Sequence, residues 1–94
     1  MKKVTSFSEY MVDEERVSVE ERELIQFEKE LILKMSELRH SQGLSQRELA
    51  EISGVKQPAL ARLESMKATP RIDTVLRLLI PLGYTLEIVP LDLK

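Results

Sequence analysis

The chain has 94 residues, enough for one compact domain with an appendage and too few for two ordinary domains. Cysteine is absent, which excludes disulfides and thiolate metal sites, and aromatic residues make up only 4%, so the core must be built mainly from Leu, Ile, Val, Met and Ala, a mix that favours helices over a sandwich or barrel. The formal net charge of −2 is unevenly spread: residues 1–30 carry five Lys/Arg against nine Asp/Glu, a net −4, while the remainder carries nine against seven, a net +2.

In the first segment, Ser6 followed by Glu9 has the spacing of a capping box for a short helix, with Phe7, Tyr10 and Met11 on one side. The segment reads either as a partly disordered arm or as a short amphipathic element that orders on a partner. Ser18 and Glu21 repeat the capping-box spacing, and no Pro or Gly follows until Gly43. Leu24, Phe27, Leu31, Met35 and Leu38 recur at three- and four-residue steps, the stripe of one long helix, widened by Ile25 and Ile32. A bend near Glu30 is expected, with the acidic first half projecting and the second half in the core. Gly43 is placed to end the helix in the left-handed conformation.

Ser45 with Glu48 forms a third capping-box pair and opens a short helix whose Leu49, Ala50 and Ile52 are expected to face inward. Gly54 ends it with a sharp turn. A further helix begins at Val55 or Lys56, with Pro58 tolerated in its first turn, where the backbone nitrogen has no intrahelical acceptor. Ala59, Leu60 and Leu63 are its apolar contacts. After a break at Lys67–Pro70, Ile72, Val75, Leu76 and Leu79 mark a last helix, ended by Pro81 and Gly83. The chain then changes period. Tyr84, Leu86 and Ile88 alternate with Thr85, Glu87 and Val89, which predicts a strand over 84–90. Such a strand has no pairing edge within a helical chain, so pairing with a second copy is expected, making a homodimer through Tyr84, Leu86 and Ile88. Pro90 would sit at the strand's end, where no ladder donor is needed.

Two short helices joined by a glycine-containing turn make a helix-turn-helix. The run Leu44-Ser45-Gln46, Leu49-Ala50, Gly54-Val55, Gln57, Leu60, Arg62-Leu63-Glu64 and Pro70 resembles the Xre/Cro-type family. The resemblance implies a mainly α, lambda-repressor-like domain over 31–94, preceded by an acidic helical arm over 1–30. It also implies that the second helix of the motif lies in the major groove with Lys56, Gln57, Pro58, Ala59 and Arg62 at the bases. Gln57 matches the family's adenine-reading glutamine, and Gln46 the glutamine that contacts phosphate and braces it. Ala59 would meet a thymine methyl, and Ser45, Lys56 and Lys67 would reach phosphate. The chain departs from the pattern at Pro58, in place of a polar base reader, and at Ser65-Met66-Lys67, where the family often has Gly. Glu64 reads as a structural partner to a backbone group or an arginine.

The whole layout, closing on Leu82-Gly83-Tyr84-Thr85-Leu86-Glu87-Ile88, also resembles HigA-type antitoxins. That resemblance implies a RelE/HigB-like ribonuclease toxin as partner, met by Phe7, Tyr10, Met11, Leu24 and Phe27 of the arm, and repression of the chain's own operon. A free-standing dimeric repressor and a protein-only adaptor are the competing readings. An enzyme is not indicated: there is one histidine, His40, near a helix end, no phosphate-cradling glycine loop, and no expected metal or cofactor. No apolar run is long enough to cross a bilayer and the N-terminus lacks a signal-peptide stretch, so a cytoplasmic protein is expected.

Overall fold

The computed structural model describes residues 14–90. Four helices follow in order: α1 (Glu14–Ser41), α2 (Gln46–Ser53), α3 (Gln57–Glu64) and α4 (Ile72–Leu82). α2 packs on α3 and α4, and α1 on α3 and α4. The expected elements at Ser6–Glu9, with Phe7, Tyr10 and Met11, lie outside the described residues.

α1 is one helix of 28 residues, about 42 Å long at 1.5 Å per residue. It runs unbroken past Glu30 and begins before Ser18, so Ser18 is a helical residue and not the cap expected from its spacing to Glu21. Its two halves meet different surroundings. Ile32 and Met35 are fully buried and Leu31 and Leu38 pack against the core, whereas Leu24, Ile25 and Phe27 of the first half are each at least half exposed. The apolar stripe thus continues for two turns beyond the body of the domain.

The core is Ile32 and Met35 from α1, Leu49 from α2, Val55 from the turn, Leu60 and Leu63 from α3, and Val75, Leu78, Leu79 and Leu82 from α4. On α4 these four occupy i, i+3, i+4 and i+7, a single helical face. Ile72, expected on that face, is exposed because it stands at the first helical position, almost a full turn before Val75. Ile52 is also exposed: Leu49 and Ala50 define the inward face of α2, and a position two further on points away from it.

Helix ends follow from local chemistry. Ser45 and Glu48 form the expected capping box, with Glu48 N–H donating to Ser45 Oγ (3.0 Å) and Ser45 N–H to Glu48 Oε1 (2.8 Å). At the end of α1, Gly43 N–H donates to His40 O and Leu44 N–H to Arg39 O, a Schellman closure with Gly43 at φ 71°. α3 closes with the same pair of bonds, Met66 N–H to Leu63 O and Lys67 N–H to Arg62 O. Here the left-handed residue is Met66, at φ 62°. Pro81 lies inside the last turn of α4 and has no N–H to give to the carbonyl four residues back, and Gln42 Nε2 crosses from the α1–α2 turn to donate to Leu82 O, one of the carbonyls left without an intrahelical donor, at 2.7 Å.

Residues 84–90 form no strand, which corrects the sequence expectation. A strand exists only as part of a ladder, and the four helices offer no edge to pair with. Tyr84, Leu86 and Ile88 are all exposed, Ile88 completely.

Met66 carries a backbone strain that glycine would relieve. A left-handed conformation costs an L-residue about 1–2 kcal/mol, and glycine's greater unfolded-state freedom returns roughly 0.5–1 of that. Met66→Gly is therefore expected to stabilise the domain by about 0.5–1 kcal/mol in urea unfolding. A loss of stability instead would mean that the Met66 side chain, which lines a groove with Ile25 and Ile32, holds more in packing than the backbone loses.

Candidate nucleic-acid interface

The turn between α2 and α3 places Gln46, at the start of α2, beside Gln57, at the start of α3. Gln57 Nε2 donates to Gln46 Oε1 at 3.0 Å. Gln46 Nε2 donates in turn to Glu64 Oε1 at 2.9 Å. Glu64, at the end of α3, is held by Arg39 from α1: Arg39 Nε donates to Oε2 at 2.8 Å and Nη2 to Oε1 at 2.7 Å. The two side chains are only 7% and 9% exposed, so this is a buried, bidentate ion pair. Two of the three remaining N–H donors of Arg39 are used as well. Nη1 donates to Leu44 O at 2.8 Å, and Nη2 lies 3.3 Å from His40 Nε2. His40 Nδ1 stands 2.8 Å from Ser36 O, an acceptor, so Nδ1 carries the hydrogen and Nε2 accepts from Arg39.

One chain of hydrogen bonds therefore runs from α1 through α3 and α2 back to the first turn of α3. Among the described residues no buried side-chain nitrogen or oxygen lacks a partner. For the Glu64 carboxyl, burial acts to raise the pKa, but the hydrogen bonds from Arg39 and Gln46 and the charge of Arg39 outweigh it, and the pKa lies below the ordinary 4.5.

The sequence-predicted contacts divide in three. Gln46 and Gln57 are half-buried and joined to each other; Ser45, Lys56, Pro58, Ala59 and Arg62 are exposed on α3 or at the starts of α2 and α3. Ser45 Oγ is engaged in its capping box. Lys67 is separate: it lines a groove of about 230 Å³ with Ile25, Glu28, Lys29 and Ile32 of α1. Lys56 is the N-cap of α3 and makes no side-chain capping bond, since an ammonium cannot accept. The first-turn N–H groups of α3 are thus open to an anion. His40 holds Ser36 O and meets Arg39.

Two residues went unread in the sequence. Arg39 carries the network; its signal was its place four residues after Met35 on the buried stripe of α1, where a charged residue needs a partner. Arg47, exposed in the first turn of α2, lines a shallow cleft with Lys56 and Gln57, and adds a cation to this face.

Removing one partner of a buried ion pair leaves a charge without compensation, at a cost of about 3–5 kcal/mol, whereas replacing both by apolar groups is close to neutral. Arg39→Met is expected to lose about 3 kcal/mol in urea unfolding at neutral pH, and Arg39→Met/Glu64→Leu to recover most of it. Because the folded pKa of Glu64 is lowered, its stabilisation is present above 4.5 and is lost as the pH falls through the lowered value. The gap between wild type and Arg39→Met should therefore narrow as the pH is lowered below 4.5 and through the depressed Glu64 pKa. A gap that stays constant with pH would show that the lost stability is packing and not charge.

The helix-turn-helix family model HTH_3 matches residues 35–89, more than half of the chain. An HTH-type transcriptional regulator of Haemophilus influenzae is 48% identical over 64 residues, 68% of this chain and 65% of that protein. The HTH-type transcriptional regulator PuuR of Escherichia coli is 43% identical over 54 residues, 57% of this chain and 29% of PuuR. The chain thus spans less than two thirds of these relatives' length. Among solved structures, a chain of a toxin-antitoxin module from Streptococcus pneumoniae superposes with a TM-score of 0.58 at 35% identity, covering 95% of this chain and 97% of that one. With its motif, the four helices among the described residues and this match in agreement, the chain belongs to the helix-turn-helix family.

Proposed function

We propose that the chain is a DNA-binding transcriptional regulator that reads a short operator with α3, and that it is the antitoxin of a toxin-antitoxin pair. The observation that carries the DNA-binding reading is the Gln46–Gln57 pair at the head of α3. It is flanked by exposed Lys56 and Arg62 and by a helix N-terminus without a side-chain cap. Gln57 would pair with adenine, Arg62 with guanine or phosphate, and Ala59 with a thymine methyl. Ser45, Gln46, Lys56 and the α3 N-terminus would position the chain on phosphates. Pro58 presents only an apolar edge. Lys67 would reach phosphate only where the duplex extends to the groove it lines.

The toxin reading draws on two observations. The exposed Leu24, Ile25 and Phe27 extend the apolar stripe of α1 beyond the core, within an acidic stretch suited to a basic partner. The likeness to the S. pneumoniae chain also extends over almost the whole length, arm included. The partner would be a RelE/HigB-like ribonuclease, masked by α1 and the residues before it, and the complex would repress its own operon. The regulators from H. influenzae and E. coli favour a second reading, a free-standing repressor with no toxin. Either reading includes a homodimer, for which the exposed Ile80, Tyr84, Leu86, Ile88 and Val89 supply an apolar surface at the end of α4. Two recognition helices about one DNA turn apart would then meet a palindromic site.

Gln57→Ala/Arg62→Ala is expected to weaken binding to DNA from upstream of the chain's own gene by about 1–3 kcal/mol or more while leaving the helical circular-dichroism spectrum unchanged. Wild-type affinity should fall steeply with salt, because phosphate contacts release counterions. Salt-insensitive binding, or no loss in the double variant, would exclude α3 as the reading helix. Leu24→Asp/Phe27→Asp, both on exposed positions, should keep DNA binding and abolish capture of a small basic protein from the native host. Equal recovery of nothing by wild type and variant would favour the free-standing repressor.

A further inference from the structure

A side-chain amide has two ends of nearly equal size, one carbonyl oxygen and one NH2 group, so hydrogen bonding alone decides which way round it sits. In this chain the decision is made at Glu64. Its carboxylate has only acceptors, and both oxygens receive N–H groups from the buried Arg39. Gln46 can join Oε1 only with its nitrogen, and does so at 2.9 Å. The Gln46 carbonyl oxygen is thereby turned towards α3, where it can only accept. Gln57 must in consequence present Nε2 to it, as it does at 3.0 Å. What Gln57 retains for a ligand is its carbonyl oxygen and its second N–H, one acceptor and one donor. That set complements the N6 donor and N7 acceptor of adenine. A reversed amide would lead with its NH2 group, two donors, which suit the O6 and N7 acceptors of guanine.

We propose that Glu64 is a specificity-determining positioning residue: acting through Gln46, its acceptor-only carboxylate fixes the Gln57 amide in the orientation that prefers adenine to guanine, without touching DNA. The inference rests on the DNA-binding reading above. It assigns the Arg39–Glu64 pair a role beyond stability. Arg39 supplies the donors that keep the carboxylate in place, and Gln46 relays its polarity across the turn.

The test is selection from a random-sequence duplex library by wild type, Glu64→Gln and Gln46→Met, followed by competition binding on duplex pairs that differ at one base pair. In Glu64→Gln the anchor becomes an amide that both donates and accepts, so either orientation of Gln46 is satisfied. Gln46→Met removes the relay and leaves the Arg39–Glu64 pair intact, so it reports even if Glu64→Gln fails to fold. Wild type is expected to select adenine over guanine at one position of each half-site by roughly tenfold, and both variants to reduce that preference to roughly twofold with the other positions unchanged. A purely structural role would weaken binding at every position alike and leave the base preferences as they are; that result overturns the inference and leaves the DNA-binding reading standing. Failure of wild type to enrich any motif would overturn both.

Discussion

The buried pair of Arg39 and Glu64 is the contact on which the geometry of the Gln46–Gln57 face depends. A guanidinium and a carboxylate this deeply buried each lose most of their hydration, and only mutual, well-aligned hydrogen bonding offsets that loss. The bidentate bond between them therefore tolerates little displacement of the elements that carry it. α1 supplies Arg39, α3 supplies Glu64, the α1–α2 turn supplies Leu44 O, and α2 reaches in with Gln46. One polar knot thus ties three helices and a turn together beside an apolar core of Leu, Val, Ile and Met, whose packing alone is less directional.

The remaining structure serves to bring those groups to one place. The Schellman closure at Gly43 turns the chain sharply after Arg39, and the Ser45–Glu48 capping box starts α2 immediately, so that Gln46 emerges one residue beyond the cap. Gly54 and Val55 then reverse the chain into α3, with Val55 buried as the pin of the turn. Leu60 and Leu63 fix the inward face of α3 and leave Pro58, Ala59 and Arg62 outward. The net negative charge of the chain does not oppose an anionic ligand at this face, because the acidic excess lies in residues 1–30, away from it in sequence, and the remainder is net positive.

Most of the helical plan was legible in the sequence because it is written in local rules. Ser45 with Glu48, Gly43, Gly54 and Gly83 punctuate the chain, and the three- and four-residue steps of the apolar residues fill the intervals. The failures have physical causes. Ser18 and Glu21 match a capping box, yet the helix continues through them, since a spacing rule cannot tell a cap from two polar residues within a helix. Ile52 and Ile72 are apolar but exposed, Ile52 because it lies off the face that its neighbours set and Ile72 because it stands at the first position of α4, almost a turn before the core begins. Residues 84–90 have the period of a strand but no edge to pair with among the described residues, and a ladder is not a local property. Arg39 was the important omission. Its pairing with Glu64, 25 residues away, depends on how α1 crosses α3, which no short-range pattern encodes. Gln46 and Gln57 stood out only because a whole motif surrounds them; the direction of each amide became visible when the carboxylate behind them was in place.

On the proposal above, hydrogen-bond polarity passes from Arg39 and Glu64 through Gln46 to Gln57. The most direct test of this relay is nuclear magnetic resonance detection of scalar coupling across the Gln57–Gln46 hydrogen bond in the isotope-labelled protein. A correlation from Gln57 Nε2 to the Gln46 side-chain carbonyl carbon is expected, and with it a restrained Gln57 amide. A correlation in the opposite sense, from Gln46 Nε2 to the Gln57 carbonyl carbon, or two amides that rotate as fast as those of exposed glutamines, would contradict it.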